Sequence, residues 1–145
     1  MRVLDKGRLT MGACALGASQ KVMELSIARV RQRTARGVPE HRLQAAGFTI
    51  ADMATQIYAA RQMLYHTAAL RDEGRNVSHE SSMVKLFCTE MASRVCDRAL
   101  DLFETDGCLS RHRIEQYLRD VRLYRIFEGT SEIQRMIISR NLLRE

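Results

Sequence analysis

Apolar residues recur along this chain at alternating steps of four and three. Leu9, Ala13, Leu16, Gln20, Met23, Ile27 and Val30 mark one face of a helix predicted from about Asp5 to Arg36, and Gly37 and Pro39 stop it. Leu43, Ala46, Ile50, Ala54, Ile57, Leu64 and Ala68 repeat the spacing in a second helix ending near Gly74. A third is predicted from an N-cap at Ser78, with the stripe Val84, Phe87, Met91, Val95, Ala99 and Leu102, closed by Gly107. A short helix from about Arg113 to Arg122 and a break at Phe127 to Gly129 precede a last helix to Leu143. Ser131 with Gln134 has the form of a capping box at its start, and Thr130 is a competing cap. No run alternates as a strand would. The pattern predicts an all-α fold, an antiparallel four-helix bundle with an additional short helix, as a single helical domain over residues 1–145.

Composition agrees with helix. The chain has 145 residues, 46% of them hydrophobic, with one Pro and 8 Gly, enough to bury one sizeable core. No stretch approaches the roughly 18 consecutive apolar residues of a membrane span. Met1 to Gly12 lacks the apolar block of a signal peptide, so a soluble, intracellular protein is expected. Cys14, Cys88, Cys96 and Cys108 form no CxxC pair, and His41, His66, His79 and His112 are scattered. Those spacings support neither a zinc site nor a disulfide framework and read as small buried thiols in a reducing compartment.

Net charge is +6, and much of the excess lies in "ARVRQRTAR", Ala28 to Arg36. Three readings are open for that run. It could face nucleic acid, although it carries no aromatic stacking platform; it could meet the phosphates of a cofactor; or it could be a solvated helix end whose cations suit the negative pole of the helix dipole.

Glu128 is the residue whose position asks for a reason. It stands between Phe127 and Gly129, just outside a predicted helix N-terminus, where unpaired amides favour an ionised carboxylate and apolar neighbours disfavour it. Such opposition suits a general base, and equally an ordinary acidic residue supporting a helix end.

"IFEGTSEIQRMIISR" closely resembles the signature near the C-terminus of acyl-CoA dehydrogenases. The likeness extends in order along the chain. "LDKGRLTMGACALGASQKVM" resembles the opening of that family's C-terminal helical domain, "RTARGVPEHRLQ" the loop that follows, and "IADMATQIYAARQMLYHTA" the second long helix. "SSMVKLFCTEMASRVCDRALDLF" resembles the third, and "IEQYLRDVRLYRIFEGT" the approach to the catalytic turn.

The resemblance implies α,β-desaturation of an acyl thioester. Glu128 matches the base that takes the α-proton while the β-hydride passes to FAD, and its backbone amide matches a donor to the thioester carbonyl. A minority of the family places the base immediately before the arginine matched by Arg8. Here that position is Gly7, which leaves Glu128 as sole candidate. Asp5, Arg8 and Gly129 match substrate-side residues. Arg33 matches an arginine reaching the FAD pyrophosphate of a neighbouring subunit, and Gln44, Thr130 and Asp101 match positions near the cofactor.

Several positions depart from the family pattern. Arg36 replaces an aromatic residue, Asp101 and Glu132 each replace a Gln, Phe127 replaces a Tyr, and Glu104-Thr105 replaces a Gly-Gly pair close to the cofactor phosphates. The proton-abstracting half reads as intact and the FAD half as altered. The family's N-terminal helical and middle β domains are not in these 145 residues, so an excised domain, inactive alone, is expected. The resemblance also implies a homo-oligomer, dimer or tetramer, with electron-transfer flavoprotein as a candidate redox partner. Neither nucleic acid nor a metal is expected, and the compartment would be cytoplasmic, or the mitochondrial matrix in a eukaryote. An acyl-CoA oxidase, and a flavin-deficient partner subunit of the same fold, are the alternatives.

Overall fold

A computed structural model describes residues 2–35 and 37–143. Five α-helices dominate: α1 (Arg2–Gln32), α2 (Gln44–Asp72), α3 (Ser78–Phe103), α4 (Ile114–Tyr124) and α5 (Ser131–Leu142). The expected all-α bundle is what forms. The three long helices run antiparallel to their sequence neighbours, and α3 packs against all four others, most extensively against α1.

The first helix ends earlier than its periodicity predicts. After Gln32 the chain forms a two-residue antiparallel pair, Thr34–Ala35 with Val38–Pro39, turning through Gly37 at φ +77°. The Glu40 N–H donates to the Arg33 carbonyl at 2.9 Å and fixes the exit. This minimal hairpin was not visible as a strand pattern because two residues show no alternation. Arg36, the predicted helix end and one of the altered family positions, lies outside the described residues.

The buried face of α1 is rotated from the predicted stripe. Leu9, Leu16 and Val30 are buried, but Ala13 and Gln20 face solvent. The inner face is completed by Gly12, Ala15, Ser19, Val22 and Ser26. Small residues win there because α1 lies close against α3: a Cβ on Gly12 would fall 3.0 Å from Val84 Cγ1. The Ser19 and Ser26 hydroxyls donate to the carbonyls of Ala15 and Val22, so their burial leaves no orphaned donor.

Caps also differ from expectation. Val77, not Ser78, is the N-cap of α3, and the Asn76 side chain accepts from the Ser78 N–H at 3.2 Å. Thr130 caps α5, accepting from the Ile133 N–H at 3.4 Å, while Ser131 and Gln134 turn elsewhere. Beyond α3 the chain continues as a single turn of 3-10 helix, Glu104–Cys108, in which Gly107 is buried against Leu100 and Phe103. Cys88 and Cys96 are buried, and burial pushes both thiols up to about 12; Cys14 and Cys108, contrary to expectation, are exposed. Among the described residues no helix is long and apolar enough to cross a membrane.

Candidate active site

The turn between α4 and α5 carries Glu128 in a conformation that L-residues rarely adopt. Glu128 has φ +55° and Gly129 φ +91°. Two successive left-handed residues reverse the chain at the start of α5 and leave the Glu128 side chain on the exposed side, directed at the N-terminal part of α1. Its carboxyl lies against Gly7. A Cβ on Gly7 would come 2.9 Å from Glu128 Oε1 and closer still to Oε2, so the bare Cα is what admits the carboxyl.

Asp5 and Arg8 flank Gly7 as a buried ion pair, Arg8 Nη1 to Asp5 Oδ1 at 2.9 Å, and Ser81 Oγ reaches the same oxygen at 3.4 Å. Arg8 Nε is buried without a partner among the described residues. The structure thus brings Asp5, Arg8, Glu128, Gly129 and Thr130 together at one end of the bundle.

That turn is held from beneath by residues that sequence reasoning missed or assigned otherwise. Gln134 is fully buried, and its Nε2 donates to the Glu128 and Gly129 carbonyls at 3.1 and 3.0 Å. Lys85, also fully buried, donates to the Arg125 carbonyl at 3.2 Å. Burial outweighs the attraction of Glu90, Glu132 and Glu128 and lowers its ammonium to about 8. A charged residue between Val84 and Leu86 in the third helix's apolar stripe was the available signal. Glu90 accepts from Ser131 Oγ at 2.6 Å and Arg125 Nε at 3.0 Å. Burial alone would raise the Glu90 carboxyl, but those two donors outweigh it and hold the group below the usual carboxylate range. Among the described residues the backbone N–H groups of Glu128, Gly129 and Thr130 meet no acceptor.

The second group of expected site residues lies at the opposite end. Arg33 follows the last turn of α1, roughly 38 Å of helix from Gly7 at 1.5 Å per residue. Gln44 is exposed at the first position of α2, and Asp101 is exposed in the last turn of α3. Arg33 Nη2 donates to Glu104 Oε2 at 2.5 Å, and this carboxylate raises the guanidinium further above its ordinary range. Arg29 pairs with Asp106 at 2.6 Å beside it. Glu104 itself has φ +53° and ψ −136°, a region that glycine favours, although here the side chain is a glutamate. Arg33 Nη1 remains buried and without a partner among the described residues, a donor that fits a phosphate oxygen. Among the described residues no cluster of His, Cys, Asp and Glu could hold a metal ion.

Comparison with known proteins follows the same outline. Residues 1–143 match the family model described as acyl-CoA dehydrogenase, C-terminal domain. The chain is 41% identical over 141 residues to a probable acyl-CoA dehydrogenase of Bacillus subtilis, YngJ, covering 97% of this chain and 37% of that protein. It is 34% identical to the caffeyl-CoA reductase-Etf complex subunit CarC of Acetobacterium woodii, covering all of this chain and 38% of that one. Its fold superimposes on butyryl-CoA dehydrogenase from Megasphaera elsdenii with a TM-score of 0.97 at 32% identity, covering 99% of this chain and 38% of the other. The chain therefore spans little more than a third of the relatives it matches.

Proposed function

The chain belongs to the acyl-CoA dehydrogenase family, by its C-terminal domain, and from that premise we propose that it is the base-bearing helical domain of a longer FAD-dependent enzyme that desaturates acyl thioesters. The observation that carries this reading is the Glu128 carboxyl held on an exposed turn against the bare Cα of Gly7. In this reading Glu128 accepts the α-proton of the thioester on a carboxylate oxygen. Its own N–H, without an acceptor among the described residues, donates to the thioester carbonyl, where negative charge develops as that proton leaves. The buried Asp5–Arg8 pair fixes the stretch of α1 beneath the carboxyl, and Arg8 is the cation nearest the CoA portion in this reading. Bound FAD supplies the acceptor for the β-hydride.

Arg33 would grip the cofactor's pyrophosphate through Nη1, with Gln44 and Asp101 at the same end of the bundle, while Thr130 would meet the cofactor at the Glu128 end. Glu128 rests on Gly7 near the start of α1 and Arg33 follows its end, which supports a site that draws on more than one copy of the chain. In this reading a second copy completes each site, as a dimer or tetramer. The outer face of α2 suits that association: Phe48, Tyr58 and Tyr65 are 65%, 63% and 63% exposed on a helix already buried along its other side. The name of the Acetobacterium relative places it in a complex with Etf, which supports electron-transfer flavoprotein as redox partner. The working compartment in this reading is the cytoplasm, or the mitochondrial matrix in a eukaryote.

The test is the visible spectrum of the complete polypeptide, recorded anaerobically before and after a series of acyl-CoAs. Flavin that bleaches with one chain length is expected, and Glu128→Gln should abolish the bleaching while leaving thioester binding largely intact. Bleaching retained by that variant would sink the assignment of the base.

One observation favours a second reading, a flavin-deficient partner subunit. Glu104 already occupies Arg33 and brings negative charge to a phosphate site. Stoichiometric flavin in the purified complete protein would exclude it.

A further inference from the structure

We infer that Gln134 is the positioning residue for Glu128, an inference that rests on the reading of Glu128 as the base. One buried amide nitrogen binds two successive carbonyls, Glu128 O at 3.1 Å and Gly129 O at 3.0 Å. Those carbonyls belong to the two peptide planes on either side of Gly129, and no peptide bond in the described chain is cis. In a trans peptide the N–H points opposite to the C=O. By drawing both carbonyls to the buried side, Gln134 turns the N–H groups of Gly129 and Thr130 the other way, where they meet no acceptor among the described residues. It also locks the turn in which Glu128 keeps φ +55°, a left-handed backbone form that non-glycine residues rarely adopt.

The packing at this point is specific. A Cβ on Gly129 would fall 2.7 Å from Gln134 Nε2, so the glycine serves both the left-handed turn and the close approach of the amide. Gln134 Oε1 is buried without a partner, so the side chain is in place for its donor alone. An amide at this depth with one unmet acceptor is costly as a mere filler of space, where Met or Leu would pack without that loss. The side chain sits in the first turn of α5, and Ser131, three positions before it, is anchored to Glu90. The helix start is thus a rigid base from which Gln134 reaches back to the turn.

The experiment compares the complete polypeptide with Gln134→Met, which keeps the volume and removes both bonds, and with Ile57→Val, a buried substitution on α2 that serves as a general destabilisation control. Two readouts are taken below the unfolding range. Amide hydrogen exchange over residues 125–131 should quicken on the order of 10-fold in Gln134→Met and stay unchanged in Ile57→Val. With an acyl-CoA that bleaches the wild type, kcat should fall on the order of 10- to 100-fold while KM moves by no more than a few-fold, and the acidic limb of the kcat profile should shift. Exchange and kcat that follow only the loss of thermal stability, equally in both variants, would overturn the positioning role and leave the reading of Glu128 standing. Faster exchange in Gln134→Met alone, in a wild type that no acyl-CoA bleaches, would support the pinning of the turn and sink the functional reading instead.

Discussion

The carboxyl of Glu128 occupies the space that a side chain at Gly7 would fill. A Cβ there would fall 2.9 Å from Oε1, nearer than real Cβ contacts allow. Position 7 and position 128 are the two places where the family's resemblance puts a base, and the fold makes them alternatives in one volume. A glycine at the first is therefore the condition for the carboxylate at the second.

Gly7→Ala separates stability from function on this basis. Alanine is the better helix former by roughly 0.5–1 kcal/mol, and the carboxyl it displaces is the far end of a flexible side chain. The variant of the complete protein should melt at the same temperature or slightly higher, yet turn over acyl-CoA on the order of 10-fold or more slowly because Glu128 is pushed from its place. Unfolding scans and steady-state rates decide it. Unchanged turnover would mean that the carboxyl works from another position.

Lys85 makes a pH prediction whose sign follows from its burial. Its folded pKa of about 8 lies below the ordinary 10.5, so between those values the unfolded chain binds more protons, and stability rises as pH climbs from about 8 towards 10.5. Below pH 8 the cost of burying the charge is felt in full. Lys85→Met should therefore raise stability at pH 7 by about 1–3 kcal/mol, with the advantage fading above pH 10. The Arg125 carbonyl is not orphaned, since it also accepts from the Ser131 N–H at 3.1 Å. Thermal unfolding at the two pH values measures the difference; a destabilised variant at pH 7 would show that the Lys85 bond outweighs its burial.

Glu104 combines a glycine-like backbone with a carboxylate on Arg33. Glu104→Gly should relieve about 1–3 kcal/mol of backbone strain while losing a partly exposed ion pair of little worth. Net stability is expected to be unchanged or higher. The freed guanidinium should also retain FAD more tightly, read as flavin absorbance per protein after exhaustive dialysis. Glu104→Gln separates the two effects, because it removes the charge and keeps the strain.

Self-association through α2 is tested by Tyr58→Glu together with Tyr65→Glu. Both residues are largely exposed in the single chain, at 63% each. Sedimentation of the complete protein should show smaller species with an unaltered helical spectrum. An oligomer that survives the double substitution would place the interface elsewhere.

How far the fold was legible depends on what periodicity measures. It found the long helices, since steps of three and four are imposed by the helix itself. It misplaced the inner face of α1, because close packing against α3 selects Gly12, Ala15, Ser19 and Ser26, which a search for large apolar residues passes over. Gln134 was read as half of a capping box because it stands three residues after Ser131. The structure gives the cap to Thr130, sends Ser131 to Glu90, and leaves Gln134 to the turn behind it.

The sequence by itself determined the helical class, the family likeness, Glu128 as the acid of interest and the unusual Glu104 where the family pattern has glycine. Each of those is local, set by residue type and short spacing. Only the tertiary structure decided that Glu128 rests on Gly7, that Gln134 and Lys85 hold its turn, and that Arg33 stands at the far end of α1 paired to Glu104. Those relationships join residues far apart along the chain, and they exist because packing α1, α4 and α5 around α3 fixes which surfaces meet.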